Sequence, residues 1–137
     1  MDGFTLDERL RADTIPVASL DLSELLLMND RRWPWLILVP RRPGVTEILD
    51  LSPAERASLM EEAARAAGAL KAIGPVDKLN IGALGNKVRQ LHLHVLARRE
   101  GDPAWPNPVW GFGMSERYGA REAEDLIAAL KGAMPRS

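Results

Sequence analysis

Hydrophobic and polar residues follow three different rhythms along this chain. Strict alternation is sharpest over Gln90-Leu-His-Leu-His-Val-Leu. A period of two is that of an extended strand with one face in the core. It predicts a strand over 90–97, with Leu91, Leu93 and Val95 inward and Gln90, His92 and His94 on the opposite face. An unbroken apolar run, Trp35-Leu-Ile-Leu-Val, stops at Pro40 and reads as a strand buried on both faces. Helical spacing appears at Leu59, Met60, Ala63, Ala67 and Leu70, the expected buried stripe. Ahead of that stripe stand a capping residue, Ser52, then Pro53 at the first helical position and Glu55 at the third. The helix should run to about Ile73, where Gly74-Pro75 stops it.

The remaining pattern is weaker. Leu6 to Ala12 predicts a short helix capped by Thr5, and Thr14 to Leu20 and Leu22 to Met28 predict two extended segments. Asn29-Asp-Arg-Arg is a polar turn and Arg41-Arg-Pro-Gly a loop. Asp77 to Ala83 reads as a strand with Leu79 and Ile81 on one face and Asn80 on the other, followed by a tight connection from Gly82 to Gly85. Asp102 to Gly113 is rich in Pro and Gly, and carries Trp105 and Trp110, so it is irregular; Glu116 to Met134 is helical again. There are no repeats and no dividing linker. The sum is one α+β domain over residues 1–137: a mostly antiparallel sheet with one long helix packed on it. Its core spans about 14–100, and a Pro/Trp-rich loop and helix occupy 101–137.

Composition narrows the function. The 137 residues suffice for one core without staples, and the absence of cysteine excludes disulfides, thiolate metal sites and a cysteine nucleophile. A net charge of −1 argues against a specific nucleic-acid binder. No apolar run is long enough to span a bilayer, and the acidic start lacks the order of a secretory signal, so a cytoplasmic protein is expected. Locally the charge differs: Lys87, Arg89, Arg98 and Arg99 flank the histidine strand and would favour an anionic ligand.

The only two histidines of the chain are His92 and His94. Imidazoles at i and i+2 of a strand can share a metal ion, but zinc needs a third ligand and the chain has no other His or Cys. They can also be two satisfied histidines at a sheet edge. The third possibility is nucleophilic catalysis on phosphorus: a neutral imidazole attacks a phosphoryl group, and a second one binds an oxygen or handles a proton. Flanking cations then neutralise the developing charge.

Gln90-Leu-His-Leu-His-Val-Leu resembles the signature of the histidine triad (HIT) family, His-apolar-His-apolar-His-apolar-apolar. Leu79-Asn-Ile-Gly and Gly85-Asn-Lys-Val resemble that family's Asn-containing strand and its Gly-Gln-Ser/Thr-Val loop. Met28-Asn-Asp, followed by Trp35-Leu-Ile-Leu-Val-Pro-Arg-Arg, resembles its ribose-binding turn and apolar strand. The resemblance covers about residues 20 to 100; the tail beyond Gly101 is not accounted for. It implies a nucleotide hydrolase or nucleotidyl transferase that needs no metal and no cofactor, commonly a homodimer through the long helix and a strand. His92 matches the nucleophile that takes up a nucleoside monophosphate, and His94 the histidine that contacts the phosphate. Asn29 matches the ribose contact, with Asp30 as its rival, and Asn80 a residue near the leaving group or the phosphate. Three positions depart from the pattern: Gln90 replaces the first histidine, Asn86 a glutamine, and Lys87 a small hydroxyl residue. Gln cannot titrate, so Gln90 orients a neighbour or a phosphate without shuttling protons. Lys87 would supply positive charge instead of a hydroxyl. Trp105 and Trp110 are candidates for stacking on a base, or for packing against the sheet or a partner subunit.

Overall fold

The computed structural model describes residues 3–134. A short helix α1 (Glu8–Asp13) leads into β1 (Thr14–Ser19), β2 (Ser23–Met28) and β3 (Trp35–Pro40). Then come the long helix α2 (Pro53–Ile73), β4 (Lys78–Gly82), β5 (Leu93–Arg98) and a final helix α3 (Ala120–Ala133). The strands form one antiparallel sheet in the order β1-β2-β3-β5-β4. Pro16 lies in the edge strand β1, beside an irregularity in its pairing with β2, where a missing N–H costs no central hydrogen bond.

Helix α2 starts and stops where the sequence places it. Ser52 Oγ accepts from the Glu55 N–H, and Glu55 in turn accepts from the Ser52 N–H. The buried stripe is rotated from the one expected: Met60 is 58% exposed, and Ala66, Ala69 and Glu62 face inward beside Leu59, Ala63, Ala67 and Leu70. Small alanines let the helix lie close on the sheet, and each of its two fully buried leucines contributes roughly 2 kcal/mol. Glu62 is tolerated there because its carboxylate accepts from the Leu22 N–H at 2.8 Å.

The sheet is covered on both faces, which explains the unbroken apolar run of β3. Leu36 and Leu38 join Leu93, Val95 and Ala97 under α2, together with Leu130 of α3. Trp35, Ile37 and Val39 face the other way, with Leu96, into a second core. That second core is closed by Leu10 of α1, by Trp33, and by Ala104 and Val109 of the Pro/Trp-rich loop. One long helix on one face is therefore only half of the architecture. The cap of α1 also differs from expectation: it is Asp7, whose carboxylate accepts from the Arg9 and Leu10 N–H groups, and not Thr5.

Candidate active site

The histidine segment enters the sheet later than alternation predicts. Strand β5 begins at Leu93, and the Leu91 N–H bonds to the Val45 carbonyl of a loop and not to a neighbouring strand. His94 lies between Ile37 of β3 and Gly82 of β4. The in-and-out rhythm nevertheless holds from Leu91 onward: Leu91, Leu93 and Val95 enter the α2 core, while the His92 and His94 rings meet edge to face, centroids 4.9 Å apart.

Each imidazole has one nitrogen fixed. The Gln90 backbone carbonyl lies 2.7 Å from His92 Nδ1. A carbonyl only accepts, so His92 Nδ1 carries the proton and the neutral ring keeps its lone pair on Nε2. The Trp35 indole N–H donates to His94 Nδ1 at 3.0 Å. An indole only donates, so neutral His94 carries its proton on Nε2. The two rings thus hold opposite tautomers: one offers a nucleophilic lone pair, the other an N–H donor. Trp35 is a neighbour of His94 that the sequence does not reveal, because its place in an apolar run reads as core; its spacing from His94 in sequence carries no signal of their contact.

Burial, and then the positive charge available to His92, pushes the His94 pKa down to about 3. The folded ring therefore binds fewer protons than the unfolded one between the ordinary value of 6.5 and about 3. Stability rises with pH across that window; the contribution of neutral His94 is complete above 6.5 and is lost as pH falls toward 3, by up to about 1.4 kcal/mol per unit. NMR of the imidazole nitrogens should show His94 protonated on Nε2 and not titrating from about pH 8 down to about pH 5. Titration inside that range would contradict the assignment.

Both histidines line a cavity of about 340 Å³ with Asn86, Lys87, Trp35 and Trp110. Arg9, Leu10 and Asp13 of α1 form another wall. An adjoining hollow of about 330 Å³ shares Asp13, Met28, Trp35 and Lys87 with it and adds Asn29. The Asn29 side-chain oxygen accepts from the Tyr118 N–H at 2.9 Å, which leaves its NH2 free for a ligand. Asp30 is committed elsewhere: 2% exposed, it pairs with Arg32 through both carboxylate oxygens and accepts from the Arg32 and Glu116 N–H groups. Burial favours its protonation, but Arg32 and these N–H groups prevail and lower its pKa. A larger hollow, of about 540 Å³, lies by Ile73, Gly74 and Pro75 at the end of α2 and contains neither histidine.

The structure changes the expectations for Asn80, Arg98 and Gln90, and it gives Trp105 the packing alternative of its two readings. Asn80 lies on the sheet face of His94, but its oxygen accepts from Arg98 at 2.9 Å and it does not line the histidine cavity. Arg98 is no phosphate-facing cation: it is 2% exposed and paired with Asp102. Trp105 sits against the Arg98 guanidinium, 5.5 Å from ring centroid to the charge, away from the cavity, whereas Trp110 lies edge to face with His94 at 5.4 Å. The hydrogen bonds of the Gln90 side chain go to the N-terminal segment: its oxygen accepts from the Asp7 N–H and its NH2 donates to the Thr5 carbonyl, both at 2.9 Å. Among the described residues no group of three or more His, Asp or Glu is placed to hold a metal ion.

The chain resembles known proteins along its whole length. The family model described as HIT domain matches residues 9–101. A histidine triad (HIT) protein from Sinorhizobium meliloti 1021 is 52% identical, with a TM-score of 0.95, over 98% of this chain and 99% of that one. A histidine triad protein from Bradyrhizobium japonicum is 48% identical, with a TM-score of 0.93, over 96% and 98%. A histidine triad protein from Marinobacter aquaeolei VT8 is 42% identical, with a TM-score of 0.93, over 96% of each chain. The comparison with curated proteins gives no match. The segment beyond Gly101 is thus part of an architecture shared with these structures, and the chain belongs to the histidine triad (HIT) family.

Proposed function

We propose that this protein is a hydrolase or transferase of nucleotides, acting at the α-phosphate of nucleoside phosphoramidates or dinucleoside polyphosphates. The observation that carries this reading is the opposite tautomers of the two imidazoles. His92 Nε2 attacks the α-phosphorus and forms the P–N bond as the bond to the leaving group breaks; the leaving group takes its proton from solvent water. Water or another acceptor then attacks the nucleotidyl-histidine, breaks the P–N bond and returns His92 to its neutral state. The His94 Nε2–H and the Lys87 ammonium stabilise the phosphoryl oxygens. In this reading the Asn29 NH2 binds the ribose, and Asn86 supplies a further polar group on the cavity wall. Gln90 contributes its backbone carbonyl, which holds His92 Nδ1.

One feature favours a second reading, a nucleotide-binding module without turnover: with Gln90 at the first triad position, no titrating group stands there to give the leaving group its proton. A slow nucleoside phosphoramidate, quenched and analysed by mass, separates the two. A covalent nucleotidyl adduct on His92 is expected. Bound nucleotide with neither adduct nor turnover would replace the enzyme by the module.

The assembly we propose is a homodimer. Exposed Ile48, Leu49, Ile81 and Leu84, on and beside the open edge of β4, support it. No described helix is long and apolar enough to cross a membrane; a cytoplasmic site of action is our reading.

A further inference from the structure

We propose that the Gln90 side chain is a positioning residue that clamps the N-terminal segment and so seats α1 as a wall of the nucleotide cavity. The inference rests on the nucleotide reading for its kinetic consequence but on geometry alone for the clamp. A primary amide presents its NH2 donor group and its carbonyl acceptor side by side in a single plane. The Thr5 carbonyl and the Asp7 N–H meet both, at 2.9 Å each, across more than eighty residues of sequence. The Gln90 amide therefore pairs with this stretch of backbone much as a neighbouring peptide group would. An imidazole, whose two nitrogens lie on different edges of its ring, does not offer that pairing.

The clamped residue is also the cap of α1. While its N–H is held by Gln90, the Asp7 carboxylate accepts from Arg9 and Leu10, 2.8 and 3.4 Å away. At the other end of the helix the Thr14 hydroxyl donates to the Leu10 carbonyl at 2.6 Å. Held at both ends, α1 buries Leu10 in the core beside Trp35 and presents Arg9 and Asp13 to the cavity that contains His92 and His94. A helix this short does not hold its place unaided, so the wall depends on what anchors it. One residue thus serves the site twice: its carbonyl fixes the nucleophile and its side chain fixes the wall. Losing the side chain should loosen substrate binding and leave the chemical step intact.

The test compares the parent chain with Gln90→Ala, with Gln90→Met (similar volume, no hydrogen bonds) and with Asp7→Ala, using three readouts. These are amide hydrogen exchange, AMP affinity, and steady-state hydrolysis of adenosine 5′-phosphoramidate. Both Gln90 variants should lose protection about tenfold over residues 5–13, and AMP affinity and KM should weaken by about tenfold with kcat within about twofold. The pH profile should not move. Asp7→Ala should act in the same direction, and combined with Gln90→Ala it should give less than the product of the two effects. Unchanged exchange over residues 5–13 in both Gln90 variants overturns the clamp whatever the kinetics. A fall in kcat at constant KM also overturns it, placing the amide at the phosphate instead. A parent protein that binds no AMP removes the nucleotide reading, and the exchange data alone then decide the clamp.

Discussion

His92→Ala should reduce the turnover of any accepted nucleotide substrate by at least about 10⁴-fold while AMP affinity stays within about tenfold of the parent. The asymmetry follows from the position of the ring. The bond-making atom, Nε2, is lost outright, and neither nitrogen of the remaining imidazole replaces it: His94 already carries a proton on Nε2, and its Nδ1 is held by Trp35. Binding survives because the cavity walls belong to other elements. Leu10 and Asp13 come from α1, Asn86 and Lys87 from the loop after β4, and Trp110 from the later loop. Removing an interaction made only in the transition state lowers kcat without a matching loss of ground-state affinity. Turnover and single-turnover burst measurements on purified protein, with AMP affinity by calorimetry, check it. Full activity in this variant would sink the mechanism.

The second large effect concerns stability. Asp102→Ala should cost about 3–5 kcal/mol and lower the melting temperature by about 10 °C or more. Arg98 is 2% exposed, and Asp102 meets its guanidinium through two hydrogen bonds, at 2.8 and 3.0 Å. Without Asp102 the buried charge keeps the Asn80 oxygen and the Trp105 ring, and no counter-ion among the described residues takes the carboxylate's place. Asp102 also accepts from the N–H groups of Arg99, Ala104 and Trp105, so it anchors the loop that closes the second core. Burial works toward protonating this carboxyl, but Arg98 and the backbone donors outweigh it and hold its pKa well below the usual carboxylate range. The pair therefore stays ionised at any pH where the protein is assayed. A double replacement of Arg98 and Asp102 by leucine should cost less than Asp102→Ala alone, because no charge is left stranded. Thermal and denaturant melts of both variants measure this; a melting temperature unchanged by Asp102→Ala would show that the buried pair carries none of the stability.

The sequence made the main elements legible where a local rule applies. Ser52-Pro53-Ala54-Glu55 carries its own start signal, and the helix begins at Pro53. Alternation over 91–97 put the correct side chains in the core. The same local rules misplaced Thr5 as a cap, because Thr and Asp are both good caps and only the observed bonds choose Asp7. Alternation also set the start of the strand too early, at Gln90, whereas β5 begins at Leu93. At Gln90 the chain has left the sheet and its side chain is bonded to the N-terminal segment. Met60 was misjudged because the stripe of α2 is set by how the helix rolls on the sheet, and the alanines permit more than one orientation.

What the sequence determined by itself is the strand-borne pair His92 and His94 on one face, the long helix, and the resemblance that named the family. These depend on spacing within a single element, where backbone geometry converts sequence separation directly into direction. Only the tertiary structure decided which proton each imidazole carries, that Trp35 fixes one of them, that Arg98 is spent on Asp102, and that Gln90 turns toward residues 5–7. Each of those is a contact between segments far apart in sequence, and no periodicity encodes it. Such hydrogen bonds form because burial strips polar groups of water and leaves them only whichever partners the packing brings near.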